Sequence, residues 1–498
     1  MAGELRFDVR VGRPVRHRRA SGDRPGMRIL LLADFTGYGT RPRPPLGERR
    51  PESVDVDNFE DLFRRWAPSV LLPADDGATT HTLVELRDLD GFHPDSLVER
   101  VPAVAALRQV RGRLLDANTS AATVAELRRV TADPLPATVD AAAQESDPAL
   151  LDRLLGRRSA PAAPTPTAAI SALIQRLVEP HIVPAVDPQA SHFVAAIDHT
   201  LTTHMRRLLH HPDFQALESA WRAAHWVISN LETSDDLRIH LLDVTKQELA
   251  TAFAGATTIE ESTLHRLLTQ AGASDDGEVA WSVLAGGFRF GPTSEDVELL
   301  GALGALGASI GAPFLAEANT ALIGCSSLAQ MPDPRQWAPL DAATAERWSV
   351  LRRSAAAPWL GLALPRIMLR APYGRTTDPI EQFPFEEMPS PPLHEAYLWG
   401  SPAFACALLL GQAYTDAGPA MTPGDRQDLL DLPSHSYVDG GTPALTPSSE
   451  VAVSERAAET ILARGLMPMV SFAQRNLVRV ARFQSLADPP ATLSGAWS

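Results

Sequence analysis

The stretch that most constrains the fold is a strongly patterned helix, which begins near His210 with the sequence HHPDFQALESAWRAAHW. Pro212 suits the first helical turn, where its missing N–H has no consequence. Glu218 can pair with Arg222 one turn later. Apolar side chains recur at spacings of three and four, a pattern that predicts one buried helical face. These side chains are Phe214, Leu217, Trp221, Ala224 and Ile228.

Apolar runs on both sides of this helix predict strands. We expect the helix to end at Asn230 and residues 237–242 to form the next strand. Thr245 and Glu248 then have the spacing of a capping box. Residues 27–35, MRILLLADF, are typical of a strand buried on both faces. Further strands are predicted near Trp281, Leu362 and Val470.

These elements predict a mixed α/β (α+β) fold. We expect a small N-terminal α/β domain, a helical and linker region, and a larger mixed-sheet domain flanked by helices. At 498 residues the chain is long enough for two or more domains.

Charge is distributed unevenly along the chain. The formal net charge is −15, and twelve Arg against five Asp or Glu give the first 50 residues +7, which leaves −22 for the remainder. An acidic body argues against non-specific nucleic-acid binding, whereas the basic N-terminal segment suits an acidic neighbouring surface. We therefore expect protein partners and no nucleic acid.

Cysteine content and hydropathy bear on the compartment. Cys325 and Cys406 are the only cysteines, so neither a disulfide framework nor a cysteine-based metal site is expected. The N-terminus lacks the apolar core of a signal peptide, and no stretch approaches the ~20 apolar residues of a membrane span. We expect a cytoplasmic protein that does not insert into membranes.

The first residues alternate between apolar and charged side chains. Leu5, Phe7, Val9 and Val11 share one face, which predicts a half-exposed strand. Such a strand either pairs with the edge of another subunit or forms an edge of its own domain. A basic arm follows it, so residues 1–26 are predicted to be a strand and arm.

A short amphipathic helix is predicted before a Pro/Ala-rich linker at residues 157–169. Its apolar side chains are Leu150, Leu151, Leu154 and Leu155, with Asp152 among them. A tethered helix of this kind is typical of a docking peptide that lies in a partner's groove. The alternative is a helix packed on its own domain.

Two polar motifs are interpreted as structural. The Gly-rich turn at residues 36–39 follows a strand but lacks the glycine and lysine spacing of a phosphate loop. Asp55 and Asp57 form a pair that would suit a divalent metal, but Asp57 and Asn58 are better interpreted as N-cap residues of the helix that contains Phe59.

The short motifs that resemble catalytic sites lack the context that catalysis requires. Residues 307–311 fit GxSxG, but Ser309 lies in a run whose spacing predicts a tightly packed helix, and a nucleophile elbow requires strand, turn and helix. His394 and His435 lie downstream without the context of a base. The histidines between 204 and 225 lack an HExxH motif. We expect no catalytic, cofactor or metal site, and keep a serine hydrolase using Ser309 as a remote alternative.

The helix at His210 resembles a phrase close to HHPxFQxLExxWRxLH in the large sheath subunit of type VI secretion systems (the TssC-like family). Further segments match that family in order: residues 279–300, 312–324, 347–374, 383–387, 395–410 and 454–469. The N-terminal part resembles the small sheath subunit (the TssB-like family) in RILLLADFTG, VDVDNFEDLF and residues 86–114. The chain thus looks like a natural fusion of the two.

The resemblance implies a division of the chain. Residues 27–131 would form the small-subunit-like domain, residues 132–169 a helix and linker, and residues 170–498 a large-subunit-like domain shortened at its C-terminus. The helix at Leu150 resembles the LLDxI-type helix that the AAA+ unfoldase of these systems grips during recycling.

The resemblance also implies a function. It suggests a structural protomer that assembles helically with copies of itself or other sheath subunits around an inner tube protein. The sheath would grow from a baseplate and contract to propel the tube. Because large subunits normally run on past Gln484, the alternative is a diverged, non-contractile accessory or scaffold.

Overall fold

The computed structural model describes residues 26–37, 40, 42–73, 81–132, 188–271, 280–472 and 475–497. Helices and a large mixed sheet make up this part of the chain, so the predicted mixed α/β fold class is confirmed. Two compact units are present. One comprises the described residues up to Phe92, Leu209–Pro372 and those from Met388 onward, and the other comprises the described part of His93–Leu208 with Tyr373–Glu387.

The elements are numbered in chain order within the described residues. The helices are α1 (Phe59–Trp66), α2 (Pro94–Arg100), α3 (Pro102–Leu115), α4 (Ser120–Ala132), α5 (Pro188–Leu209), α6 (Pro212–Ser229), α7 (Lys246–Ala252), α8 (Thr263–Ala271), α9 (Ser294–Ile310), α10 (Ala342–Arg352), α11 (Pro402–Ala417) and α12 (Glu455–Ala463). The strands are β1 (Met27–Ala33), β2 (Glu52–Val54), β3 (Ser69–Pro73), β4 (His81–Glu85), β5 (Leu237–Asp243), β6 (Val283–Phe290), β7 (Phe314–Ala318), β8 (Leu360–Leu364), β9 (Ile367–Met368), β10 (Trp399–Gly400), β11 (Asp428–Leu429), β12 (His435–Asp439), β13 (Thr442–Thr446), β14 (Met467–Ser471) and β15 (Val478–Val480).

The first unit is built on one nine-stranded sheet in the order β11-β15-β14-β8-β7-β6-β1-β5-β2. The strands from β14 to β5 run parallel to their neighbours, whereas β2, β15 and β11 pair antiparallel at the ends. The predicted strands at residues 237–242 and near Trp281, Leu362 and Val470 are confirmed as β5, β6, β8 and β14. Strand β7 was not predicted.

The central strands are covered on both faces, as their composition requires. Every residue of β7 and β8 is buried, and in β1 only Arg28 is partly exposed. Parallel strands buried on both sides are near-continuous apolar runs. The prediction for residues 27–35 is therefore confirmed, with the strand ending at Ala33.

Helix α6 buries the predicted stripe. Its five stripe residues are each at most 2% exposed, and Asn230 is the C-cap residue. The pair predicted for the flank also forms, with Arg222 Nε 2.7 Å from Glu218 Oε1. Glu218 is, however, fully buried, and Arg370 Nε donates to the same oxygen at 2.8 Å. Two guanidinium groups therefore bind a buried carboxylate. Sequence periodicity had placed this carboxylate on the flank of the buried face.

Two predicted caps have different outcomes. The capping box of Thr245 and Glu248 is confirmed in both directions at the start of α7. At α1, Asn58 is the N-cap residue, but its side chain makes no capping hydrogen bond. Asp55 instead accepts the N–H groups of Asp57 and Asn58 at 3.0 and 2.9 Å. Asn58 is thus confirmed as the N-cap residue and Asp57 is not one, but the Asn58 side-chain oxygen accepts the Asp55 N–H at 3.1 Å instead of an N–H of the helix.

In the second unit, α5 carries an apolar stripe. Ile197, Leu201, Met205 and Leu208 are buried, whereas Phe193 is partly exposed. Arg111 of α3 pairs with Asp198 of α5 at 2.5 Å. This unit is therefore held by helix packing and by at least one partly buried ion pair.

Candidate assembly surfaces and polar sites

The predicted partner-binding residues lie outside the described part of the chain. They are the strand residues Leu5, Phe7, Val9 and Val11 and the helix residues Leu150, Leu151, Asp152, Leu154 and Leu155. Their roles stay predictions.

Within the described residues, the N-terminal and C-terminal parts of the chain, which the sequence predicts as separate domains, contribute strands to the same sheet. Strand β1 lies between β5 and β6 and is parallel to both. Ile29 is in register with Ile239 on one side and with Val283 on the other. A strand from the N-terminal part therefore completes the sheet formed by the C-terminal part.

An aromatic cluster around Trp221 strengthens this joint. The Trp221 Nε1 group donates to the carbonyl of Phe35 at 2.7 Å. Its ring lies 4.4 Å from that of Phe63 and 5.6 Å from that of Phe59, measured between centroids. Trp221, Phe35 and Phe63 have no exposed surface. Aromatic pairs of this kind contribute about 0.5–1.5 kcal/mol to stability beyond the effect of their burial. The packing of α6 on α1 beside β1 is therefore stabilised.

The turn after β1 is a structural one. Asp243, at the end of β5, accepts the N–H groups of Phe35 and Thr36 at 2.8 and 3.1 Å and the Thr36 hydroxyl at 2.8 Å. The Gly37 N–H donates to Asp34 at 2.9 Å. The N–H groups of Phe35, Thr36 and Gly37, which a phosphate at this turn would need, are therefore already used by carboxylates. Burial raises the pKa of Asp243, and the nearby Arg43 opposes this effect.

Ser309 lies in the last turn of α9, as the helical interpretation of its GxSxG motif predicted. Its Oγ lies 3.2 Å from His265 Nε2 and 3.5 Å from Glu260 Oε1, neighbours that sequence reasoning did not identify. The chain runs here from helix through Gly311 to strand β7, the reverse of the strand-to-helix order of a nucleophile elbow. The exposed Ser309 is thus a surface residue of a helix end.

The histidines make local structural contacts. His211 Nδ1 accepts the N–H of Asp213 at 3.3 Å and so caps α6, and the His225 ring packs against Phe59 at 5.0 Å. Tyr397 Oη lies 2.8 Å from His435 Nδ1. Across the described ranges, no three His, Cys, Asp or Glu side chains are grouped as a metal site would require.

Two hairpins expose apolar side chains that sequence reasoning did not single out. Leu71 of β3 and Leu83 of β4 face each other in register and are 39% and 45% exposed. The hairpin of β12 and β13 exposes Val438 and Leu445. Exposed strand edges and apolar pairs are typical of surfaces that pair with other chains. No described helix combines the length and apolar character needed to cross a membrane.

Comparison with known proteins defines the class of protein. A model of the VipB family, described as the EvpB/VC_A0108 tail sheath N-terminal domain, matches residues 191–487, which is more than half of the chain. A model of the type VI secretion system VipA family matches residues 25–142. The class is thus that of the tail sheath proteins of type VI secretion systems.

The chain belongs to the VipB tail sheath family of type VI secretion systems and carries a VipA-type segment at its N-terminal side. The predicted resemblances to a large and a small sheath subunit, and the interpretation as a fusion, are confirmed. The sheath protein TssC1 of Pseudomonas aeruginosa PAO1 is 32% identical over 307 residues, which are 59% of this chain and 61% of that relative. The chain therefore spans somewhat less than two thirds of the relative's length.

Proposed function

We propose that this chain is a structural protomer of a type VI secretion contractile sheath and that one polypeptide supplies both sheath subunits. Copies would assemble helically through repeated heterologous contacts around an inner tube. Contraction would then release energy stored in the extended packing and propel the tube.

The observation that carries this proposal is the position of β1. The strand belongs to the segment that matches the VipA family, and its neighbours β5 and β6 belong to the segment that matches the VipB family. Each pairing is parallel and most of the paired residues are buried, so the two segments share one core. This arrangement is suited to a single protomer better than to two independently folded domains with separate roles.

We further propose the division of the chain that the resemblance implied. Residues 27–131 are the small-subunit-like part, residues 132–169 a helix and linker, and residues 170–498 the large-subunit-like part. The strand at Leu5–Val11 would pair with a neighbouring subunit, and the helix at Leu150–Leu155 would be gripped by an AAA+ unfoldase. A baseplate would be a further partner, and the bacterial cytoplasm the compartment.

The proposed role requires no bond chemistry. Membership of a structural sheath family supports a protein that is not an enzyme. The geometry at Ser309 supports the same view, because the hydroxyl lies on an exposed helix end rather than at an elbow above a sheet.

Electron microscopy of the purified full-length chain tests the proposal. We expect helical tubes with a hollow core, formed without a second sheath subunit. A variant with Leu30→Asp in β1 is expected to form none, because it places a charge in a fully buried strand. Discrete particles at all concentrations, from a wild-type chain that is folded by circular dichroism, would favour a non-contractile accessory instead.

A further inference from the structure

A cavity of about 300 Å³ lies between the end of α10 and the segments that follow α12 and β15. Its lining includes the apolar side chains of Leu340 and Trp348. It also includes the charged side chains of Arg352, Arg464 and Asp488. Its volume is at the lower limit of small-molecule sites, so it suits a single ring or a short chain and is too small for a nucleotide.

The two arginines bring charge into the cavity without a matching carboxylate contact. Arg352 donates through Nε to the carbonyl of Leu486 at 3.0 Å and through Nη2 to that of Ala487 at 3.4 Å. Arg464 Nη1 donates to the carbonyl of Leu322 at 3.2 Å. Among the described residues, neither guanidinium forms an ion pair within 4.0 Å. Both therefore use neutral backbone acceptors and keep their charge and further donors for another group.

Burial makes two neighbouring guanidinium charges without an anion unfavourable. Burial lowers the pKa of Arg352, the neighbouring charge of Arg464 lowers it further, and Asp488 counteracts both only in part. A guanidinium remains protonated at any physiological pH. Two such groups near one carboxylate leave the cavity with a net positive charge, which an anion would balance.

One lining residue of the cavity carries a donor without an acceptor. Trp348 is 4% exposed, and its indole N–H has no hydrogen-bond partner within the described residues. A buried donor without an acceptor is costly. Gly465 fixes the arginine side of the cavity: its φ is +81°, and an added Cβ would lie 3.1 Å from Arg352 Nε. The Arg352 guanidinium is thus packed closely against the backbone at Gly465.

We propose that this cavity is a binding site for a carboxylate on a small apolar body. The carboxylate would be held by Arg464 and Arg352, and the apolar body would lie against Trp348 and Leu340. The same chemistry is offered by a free aromatic or short-chain organic acid and by an acidic side chain with an apolar neighbour on a second copy of this chain. Neither source depends on contraction of a sheath.

The test uses 4-fluorobenzoate and fluorine NMR on the full-length protein. We expect saturable binding with a dissociation constant on the order of 1 mM, in keeping with the size of the ligand. The neutral analogue 4-fluorobenzyl alcohol should bind about tenfold more weakly, as should 4-fluorobenzoate to Arg464→Gln, because a charge-assisted hydrogen bond is lost in each case.

A matched control and a blocking variant keep the test decisive. Arg353→Gln removes the next arginine of the chain, whose side chain is 57% exposed and outside the cavity lining, and should leave binding unchanged. Ala345→Trp adds bulk at an exposed lining position and should abolish binding without disturbing the core. The proposal fails if wild-type protein does not bind 4-fluorobenzoate, or if Arg464→Gln and Ala345→Trp bind it as well as wild type does.

Sedimentation distinguishes the two sources of the carboxylate. If a second copy supplies it, saturating 4-fluorobenzoate should release copies from one another, and Arg464→Gln should associate more weakly than Arg353→Gln. If a free acid is the ligand, association should be the same with and without 4-fluorobenzoate.

Discussion

At the residue scale, Glu450 shows how a carboxylate stays ionised inside this fold. Its side chain is 12% exposed and accepts from Arg366 Nε at 2.8 Å and from the Arg366 backbone N–H at 2.9 Å. His394 Nε2 lies 3.2 Å from the same carboxylate. Burial by itself raises the pKa of Glu450, but the bonds from His394 and Arg366 outweigh it and lower the pKa to about 2.

We expect Glu450→Gln to destabilise the protein by about 3 kcal/mol at pH 7, because the buried Arg366 loses its closest carboxylate and keeps only the exposed Glu395 at 3.4 Å. The pKa of Glu450 is lowered from 4.5, so the stability it contributes is present above pH 4.5 and lost as pH falls toward 2. The gap between wild type and variant should therefore narrow on acidification below pH 4.5. Urea unfolding at a series of pH values measures it.

Asp428→Asn is the matched control for this charge removal. Asp428 pairs with Arg479 at 2.5 and 2.6 Å, but the two side chains are 35% and 46% exposed. An exposed pair contributes at most about 1 kcal/mol. Equal losses in Asp428→Asn and Glu450→Gln would contradict the role given to burial.

At the element scale, helix α9 depends on glycines that permit close approach. A Cβ on Gly304 would lie 2.7 Å from the carbonyl oxygen of Ala356, and one on Gly307 would lie 2.7 Å from that of Ala312. Gly301, on the same helix, would place a Cβ 3.8 Å from Leu351 Cδ1, an ordinary contact. Gly304, and Gly307 of the GxSxG-like run, are therefore explained by packing against the segments around β8 and β7, whereas Gly311 has a φ of +79° as the C-cap residue.

Replacing glycine by alanine should have opposite effects on stability at two positions of α9. Gly301→Ala should stabilise the protein by up to about 1 kcal/mol through helix propensity. Gly304→Ala has the same propensity gain but must displace backbone, so we expect a net loss of about 1–2 kcal/mol. Thermal and urea unfolding of both variants measures the difference. Stabilisation by both substitutions would show that α9 is not tightly packed at Gly304.

At the scale of the whole molecule, the sheet joins two segments that are far apart in the chain. Strand β1 fills the position between β5 and β6, and Trp221 packs against aromatic rings of the N-terminal segment. Without β1, the facing edges of β5 and β6 would lose their hydrogen-bond partners. Each segment thus depends on the other for a complete core.

Dividing the chain between Ala132 and Pro188 tests this dependence. We expect the two fragments to co-purify when expressed together, because parallel pairing on both sides of β1 holds them. The larger fragment expressed alone should be insoluble or aggregate through its unpaired edges. Leu30→Asp in the smaller fragment is the control and should abolish co-purification. A larger fragment that is soluble, monomeric and equally stable alone would contradict the shared core.

Local patterns were sufficient for much of the fold but for little of the polar chemistry. The stripe on α6, the capping box at Thr245 and the buried run at residues 27–35 each follow from neighbours a few residues apart. The pairing of Ser309 with His265, and the grouping of Arg352 with Arg464, join residues 44 and 112 positions apart in the numbering. Hydrophobic periodicity gives no information about contacts between residues this far apart in the sequence. Phrases shared with known sheath subunits carried the family prediction.

The sequence by itself determined several helices and buried strands, though not β7, and the family the chain belongs to, because periodicity, caps and characteristic phrases are local. Only the tertiary structure decided that β1 lies between β5 and β6, that β7 separates β6 from β8, and that Glu218 is buried against a second arginine. Strand order and the partners of buried charges depend on which segments, distant in the chain, pack against each other and exclude water. That choice is made by the packing of the whole chain.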